Sequence, residues 1–122
     1  MVKGLSDISV ISKIVTLQNL LLQSLKNVTA IPPLQKLTQL RRATLVQMKG
    51  ISDLTPLLQA KSLEDVAISD APRLSPEAFL PLQKHVSLQT IVFGSGSNKK
   101  NRAVEAMFPT LQHQLKHPFI YR

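Results

Sequence analysis

A chain of 122 residues is long enough for one domain around one core and too short to promise two. Apolar residues make up 43% of it but aromatics only 4%, so the core must come mainly from Leu, Ile and Val, which argues against an enzyme with an aromatic pocket. The absence of cysteine excludes disulfides, thiolate metal sites and a cysteine nucleophile together.

Lys and Arg outnumber Asp and Glu by 15 to 7, for a net charge of +8. Half of that excess falls after Ser95, where Lys99, Lys100, Arg102, Lys116 and Arg122 stand against Glu105 alone. At the other end, Met1 to Asn19 carries Lys3, Asp7 and Lys13 and holds no apolar run of signal-peptide or membrane-spanning length. A soluble, cytoplasmic protein with no membrane partner is the expectation, unless upstream sequence once carried an export signal.

From the N-terminus the apolar residues keep a strict interval of three: Leu5, Ile8, Ile11, Ile14, Leu17, Leu20; then Val28, Ile31, Leu34, Leu37, Leu40, Ala43; then Ile51, Leu54, Leu57, Ala60, Leu63, Val66. An α-helix turns about 100° per residue and a strand alternates by two, so neither buries such a series. The rhythm breaks with a single step of two at Leu20 to Leu22, Ala43 to Leu45, Val66 to Ile68 and Ile91 to Phe93. A step of two marks a short strand. The four breaks recur at intervals of 23, 23 and 25 residues, an internal repeat of the size of a stacked supersecondary unit.

The segments Leu17-Gln-Asn-Leu-Leu-Leu22, Leu40-Arg-Arg-Ala-Thr-Leu45, Leu63-Glu-Asp-Val-Ala-Ile68 and Leu88-Gln-Thr-Ile-Val-Phe93 resemble the LxxLxL core of leucine-rich repeats, and Ile51-Ser-Asp-Leu-Thr-Pro-Leu57 resembles the bacterial, internalin-like style of repeat. The resemblance covers roughly residues 4 to 94. It implies an α/β solenoid, with short parallel strands on a concave face, helical or 3-10 turns on the convex face and a helical cap at the C-terminus. Where many such repeats carry an Asn that bonds buried backbone, this chain has Leu25, Met48 and Ala71, so neighbouring main chain or water must satisfy those groups.

On the convex side, Pro32-Pro33 and Thr55-Pro56 are expected to open short helical turns. Pro76 to about Val86 reads as a full helix with Ser75 as its N-cap, which accounts for the longer third interval. The repeats fill residues 1–94, the first without its strand, and residues 95–122 form a loop, cap and tail. Gly94-Ser-Gly-Ser-Asn98 ends the last strand, Val104, Met107, Phe108 and Leu111 then fall at helical spacing, and Pro109 ends or kinks that helix. Thr110 to Lys116 adds a turn before Pro118, and Phe119 to Arg122 is a loose end.

No set of residues points to catalysis or a cofactor. Gly94 to Lys100 is a glycine-rich loop before a helix, a type that can hold phosphate, but it lacks the Walker pattern, and a repeat-to-cap junction is the favoured reading. Lys99, Lys100 and Arg102 offer an anion or nucleic-acid contact without interleaved aromatics for stacking, so nucleic acid is disfavoured. His113 and His117 have ligand spacing for one helix face, but no nearby acid or cysteine completes a metal site. Asp65 and Asp70 sit too close together along one repeat to play separate acid and base roles, and no Ser-His-Asp set stands out with His85.

What remains is the outward side of the strands: Asn19, Leu21 and Gln23; Arg42, Thr44 and Val46; Asp65, Ala67 and Ser69; Thr90 and Val92. Such a mixed face suits a protein partner, with Leu21, Arg42, Val46 and Asp65 as the leading contacts. The expected function is a non-enzymatic interaction module or scaffold. The alternative is a self-assembly segment, because the apolar edge from Leu5 to Leu17 has no preceding strand, which points to removed upstream repeats, a short natural start, or pairing with a second copy as a homodimer.

Overall fold

The computed structural model describes residues 8–25 and 27–113. Four strands of five residues, β1 (Asn19–Gln23), β2 (Arg42–Val46), β3 (Asp65–Ser69) and β4 (Thr90–Gly94), form one parallel sheet in the order β1-β2-β3-β4. The pairing register is Leu20 with Ala43, Ala43 with Val66, and Val66 with Ile91, so the repeat intervals of the sequence are also the register of the sheet. Three 3-10 helices, Ser9–Lys13, Thr55–Gln59 and Pro76–Lys84, and one α-helix, α1 (Asn98–Met107), complete the described elements. The fold is therefore α/β around a four-stranded parallel sheet. Among the described residues no helix is long and apolar enough to cross a membrane.

The three-residue rhythm has a direct physical cause. Its apolar residues are joined to one another by N–H to C=O bonds spanning three residues: Ile11 to Ile8, Ile14 to Ile11 and Leu17 to Ile14, then Leu57 to Leu54, Ala60 to Leu57 and Leu63 to Ala60, all at 3.0–3.3 Å. Such bonds wind the chain at three residues per turn, and side chains three apart then eclipse one another on one side. Leu54, Leu57, Ala60 and Leu63 are accordingly all fully buried. At each strand the period changes to two, and Leu20 and Leu22, Ala43 and Leu45, Val66 and Ile68, and Ile91 and Phe93 turn into the same core. Phe79 from the third 3-10 helix packs against Phe93, with ring centroids 4.9 Å apart and the planes tilted by 59°, an arrangement favoured by the aromatic quadrupoles.

Beyond the strands the turn is built the same way three times. Ser24, Gln47 and Asp70 adopt left-handed φ values of 58°, 54° and 54°. Each still donates its N–H to the next repeat, Ser24 to Val46 O, Gln47 to Ser69 O and Asp70 to Gly94 O, at 2.9–3.1 Å. The next residues, Leu25, Met48 and Ala71, are buried, and their carbonyls accept from Val28, Ile51 and Leu74. Main-chain bonds thus meet the demand left by the missing asparagines.

Three expectations need correction. Pro32-Pro33 opens no helix; residues 31–34 form no regular element, and a turn closed by Leu37 N on Leu34 O follows. Pro76 to Val86 is not α-helical but a 3-10 helix ending at Lys84, because Pro81 inside it lacks the N–H for an α-helical bond. Ser75 occupies the N-cap position but makes no side-chain cap bond. At the C-terminal end, α1 stops at Met107, two residues before Pro109, and Val104 and Phe108 are buried with Met107 and Leu111 packed alongside. Leu5, Lys116, His117, Pro118 and the Phe119 to Arg122 end lie outside the described residues.

Candidate functional site

The outward positions of the four strands form three cross-strand rows, because paired residues of a parallel sheet point to the same side. The first row, Asn19, Arg42, Asp65 and Thr90, is in register across all four strands. It is not the open surface expected from the sequence: Arg42 is 3% exposed, Asp65 8% and Thr90 6%. Arg42 Nη2 stands 3.5 Å from Asp65 Oδ2, a buried ion pair between β2 and β3.

Two features contribute to the burial. Long polar side chains about 4.8 Å apart along a row cover one another, and the chain beyond α1 returns to the edge of β4. There Gln112 N donates to Gln89 O and Gln112 O accepts from Ile91 N, both at 2.9 Å, placing Gln112 beside Thr90. Arg41 and Glu64, one residue earlier in each repeat, form a second pair at 3.4 Å, but their side chains are 42% and 28% exposed. Solvent weakens that pair far more than the Arg42 pair.

The second row is Leu21, Thr44, Ala67 and Val92. Leu21 is 58% exposed, Thr44 and Val92 are half-buried, and Ala67, expected to face outward, is buried between its neighbours. In the third row Gln23 is exposed, while Val46, Ser69 and Gly94 are half-buried. Of the outward positions read from the sequence, the accessible ones are therefore Asn19, Leu21, Gln23, Thr44, Val46, Ser69 and Val92. Of the leading contacts read from the sequence, Leu21 and Val46 remain and Arg42 and Asp65 are withdrawn into the structure.

Beyond the third row the structure adds a cleft of about 280 Å³ whose lining includes Gln47, Lys49, Asp70, Leu74, Ser95 and Lys100. Sequence reasoning missed it, although one signal was available. Ser24, Gln47 and Asp70 are spaced by the repeat interval, and a polar residue recurring there marks the turn that forms the rim.

Three amides of the glycine-rich loop are turned into the chain rather than toward a bound anion. Ser95 N donates to Asn101 Oδ1 at 2.9 Å, Ser97 N to Ser95 Oγ at 3.1 Å and Lys100 N to Ser97 Oγ at 3.3 Å. Ser97 Oγ thereby caps α1, and the Asn101 side chain fastens the loop to that helix. Lys99, Lys100 and Arg102 stand exposed on the first turns of that helix.

The described histidines hold backbone. His85 Nε2 lies 2.8 Å from Ala60 O, and since a carbonyl only accepts, Nε2 carries a proton. His85 Nδ1 faces the Ser87 N–H at 3.4 Å. Ser87 Oγ reaches the carbonyls of Lys61 and Leu63 at 2.8 and 2.7 Å, so this pair staples one repeat to the preceding one. His113 Nδ1 is 3.1 Å from Ile91 O. Among the described residues no group of three or more His, Cys, Asp or Glu converges as a metal site.

Compared with protein-family models, with curated proteins and with solved structures, the chain matches none.

Proposed function

We propose that the chain is a leucine-rich-repeat solenoid acting as a non-enzymatic interaction module, which takes a protein partner on the concave, outward side of its strands. The observation that carries this reading is the contrast along that side. One row is closed by its own ion pair, whereas Leu21, Thr44, Val46 and Val92 leave apolar atoms accessible, with Gln23 and Ser69 beside them. An uncharged patch with polar neighbours suits a protein interface, where a few apolar anchors supply most of the energy and polar groups set orientation. The in-register repeat supports the solenoid, since each unit then buries its apolar face only against the next. A cytoplasmic setting goes with this reading only through the cysteine-free sequence.

The test compares two variants. Val46→Asp with Val92→Asp places charge on the patch, and Val86→Asp places it on a loop residue that is 98% exposed. Proteins captured by the wild type are expected to be kept by the loop variant and lost, by about tenfold or more in affinity, by the patch variant at equal thermal stability. A partner held equally by both variants overturns the reading.

A further inference from the structure

The two edges of the sheet are finished differently. At β4 the chain covers the Thr90 end of its own edge through the two main-chain bonds of Gln112. At β1, among the described residues, no strand lies on the far side. Exposed sheet edges are normally blunted by lysine, proline, a bulge or a covering segment. The β1 sequence, Asn-Leu-Leu-Leu-Gln, contains no charge, proline or glycine, and its central Leu21 is 58% exposed. Exposed large apolar side chains also gather in the segment that leads into it: Val10, Ile14 and Val15.

We infer that β1 is a self-association edge, and that the partner it fits is a second copy of this chain, paired antiparallel about a two-fold axis through Leu21. Three properties select that occupant. First, the strand has five residues centred on Leu21, so an antiparallel pair sets Leu21 against Leu21, Leu20 against Leu22 and Asn19 against Gln23, with no like charges opposed. Second, directly opposed residues share a face, so the buried Leu20 and Leu22 of the two copies continue one inner apolar layer while the two Leu21 side chains meet on the outer side. Third, head-to-tail stacking of β1 on β4 is obstructed at the Thr90 end of β4, where Gln112 already takes the pairing position. The assembly that remains is isologous and closes at two copies. This inference does not depend on the patch around Val46 and Val92.

Light scattering on the whole chain over a hundredfold concentration range is expected to show the mass rising from one chain to two and stopping there. Leu21→Lys sets two ammonium groups against each other on the axis and is expected to raise the dimer dissociation constant by at least about tenfold, with an unchanged far-ultraviolet circular dichroism spectrum. Because the native sequence has no cysteine, Leu21→Cys gives a second, fold-independent reading. Mild oxidation should link two copies through residue 21, whereas Val86→Cys on the exposed loop should link far less. A wild type that stays at one chain, a mass that grows past two, an unaffected Leu21→Lys dimer, or cross-linking at residue 86 as efficient as at residue 21 overturns the proposal. Retention of the dimer by the Val46→Asp, Val92→Asp variant would show that the edge and the patch act separately.

Discussion

β1 and β3 occupy equivalent places in their repeats, have the same length and turn two aliphatic residues into the same core, yet their outward sides have opposite fates. In β1 the outward residues run from half-buried Asn19 to exposed Leu21 and Gln23. In β3, Asp65 and Ala67 are buried and only Ser69 is half-open. The inner face of a strand is set by its own sequence, because a period of two sends alternate side chains inward wherever the strand stands. The outward face is set by neighbours: β3 has strands on both sides and Arg42 across from Asp65, whereas β1 has a strand on one side among the described residues.

The sharpest way to break this comparison is to remove a carboxylate from the closed side and an amide from the open one. Asp65→Ala leaves Arg42, 3% exposed, without the carboxylate that faces it, and stripping one partner from a buried ion pair costs about 3 kcal/mol or more. Gln23→Ala, on the exposed end of β1, is expected to change stability by less than about 0.5 kcal/mol. Urea midpoints of the two variants measure the difference. Replacing both Arg42 and Asp65 by apolar residues of similar volume should recover most of the loss, because the pair's desolvation largely cancels its attraction. Similar costs for Asp65→Ala and Gln23→Ala would show that the first row is open to water in solution.

The same contrast separates what was legible in the sequence from what was not. Strand positions, parallel order and register followed from the steps of two and the intervals of 23, 23 and 25 residues, because burial of a periodic apolar series depends on local geometry and on a similar neighbour. The closing of Arg42, Asp65 and Thr90 was not legible from alternation, which says only which side a residue takes. It depends on Arg42 reaching across to Asp65 and on the return of Gln112 to β4, a contact between positions 22 residues apart that no periodicity announces. Pro81 is visible in the sequence and decides against an α-helix at Pro76–Lys84, whereas the helix expectation rests on Ser75 before Pro76 alone. Of the leading contacts, the accessibility of Leu21 and Val46 was legible from alternation; the cleft near Lys49 and Lys100 was not, because the polar residue recurring at Gln47 and Asp70 marks a turn but not the cavity beside it.

The turns refine the comparison at lower energy. Ser24, Gln47 and Asp70 hold equivalent left-handed positions, but a left-handed backbone costs an ordinary residue about 1 kcal/mol and asparagine or aspartate less. Gln47→Gly is therefore expected to stabilise the fold and Asp70→Gly to gain less. The Gln47 gain is reduced to about 0.5 kcal/mol because its Oε1 also accepts a 2.6 Å bond from Ser24 Oγ. Thermal unfolding of the two variants side by side ranks the positions, and a larger gain at Asp70 would reverse the order.

The smallest effect compares the two proline-opened connectors. Ser75 before Pro76 makes no side-chain cap, whereas Asp53 Oδ1 accepts from Thr55 Oγ1 at 2.6 Å and from Thr55 N at 2.9 Å ahead of Pro56. The Thr55 hydroxyl, and then its backbone N–H, hold the Asp53 carboxyl below its ordinary pKa against a slight opposing effect of burial. A carboxyl depressed in the folded state stabilises the fold above its unfolded value, about pH 4, and that contribution is lost as pH falls through the lower folded value. Asp53→Asn keeps an oxygen that can accept from Thr55 but removes the titration. Its unfolding midpoint should therefore fall less than that of the wild type between pH 5 and pH 3, by a small margin, since the group is exposed and solvent screens it. Ser75→Ala has no such bond to lose and should follow the wild type at every pH; if Asp53→Asn does so too, the Asp53–Thr55 turn contributes nothing to acid stability.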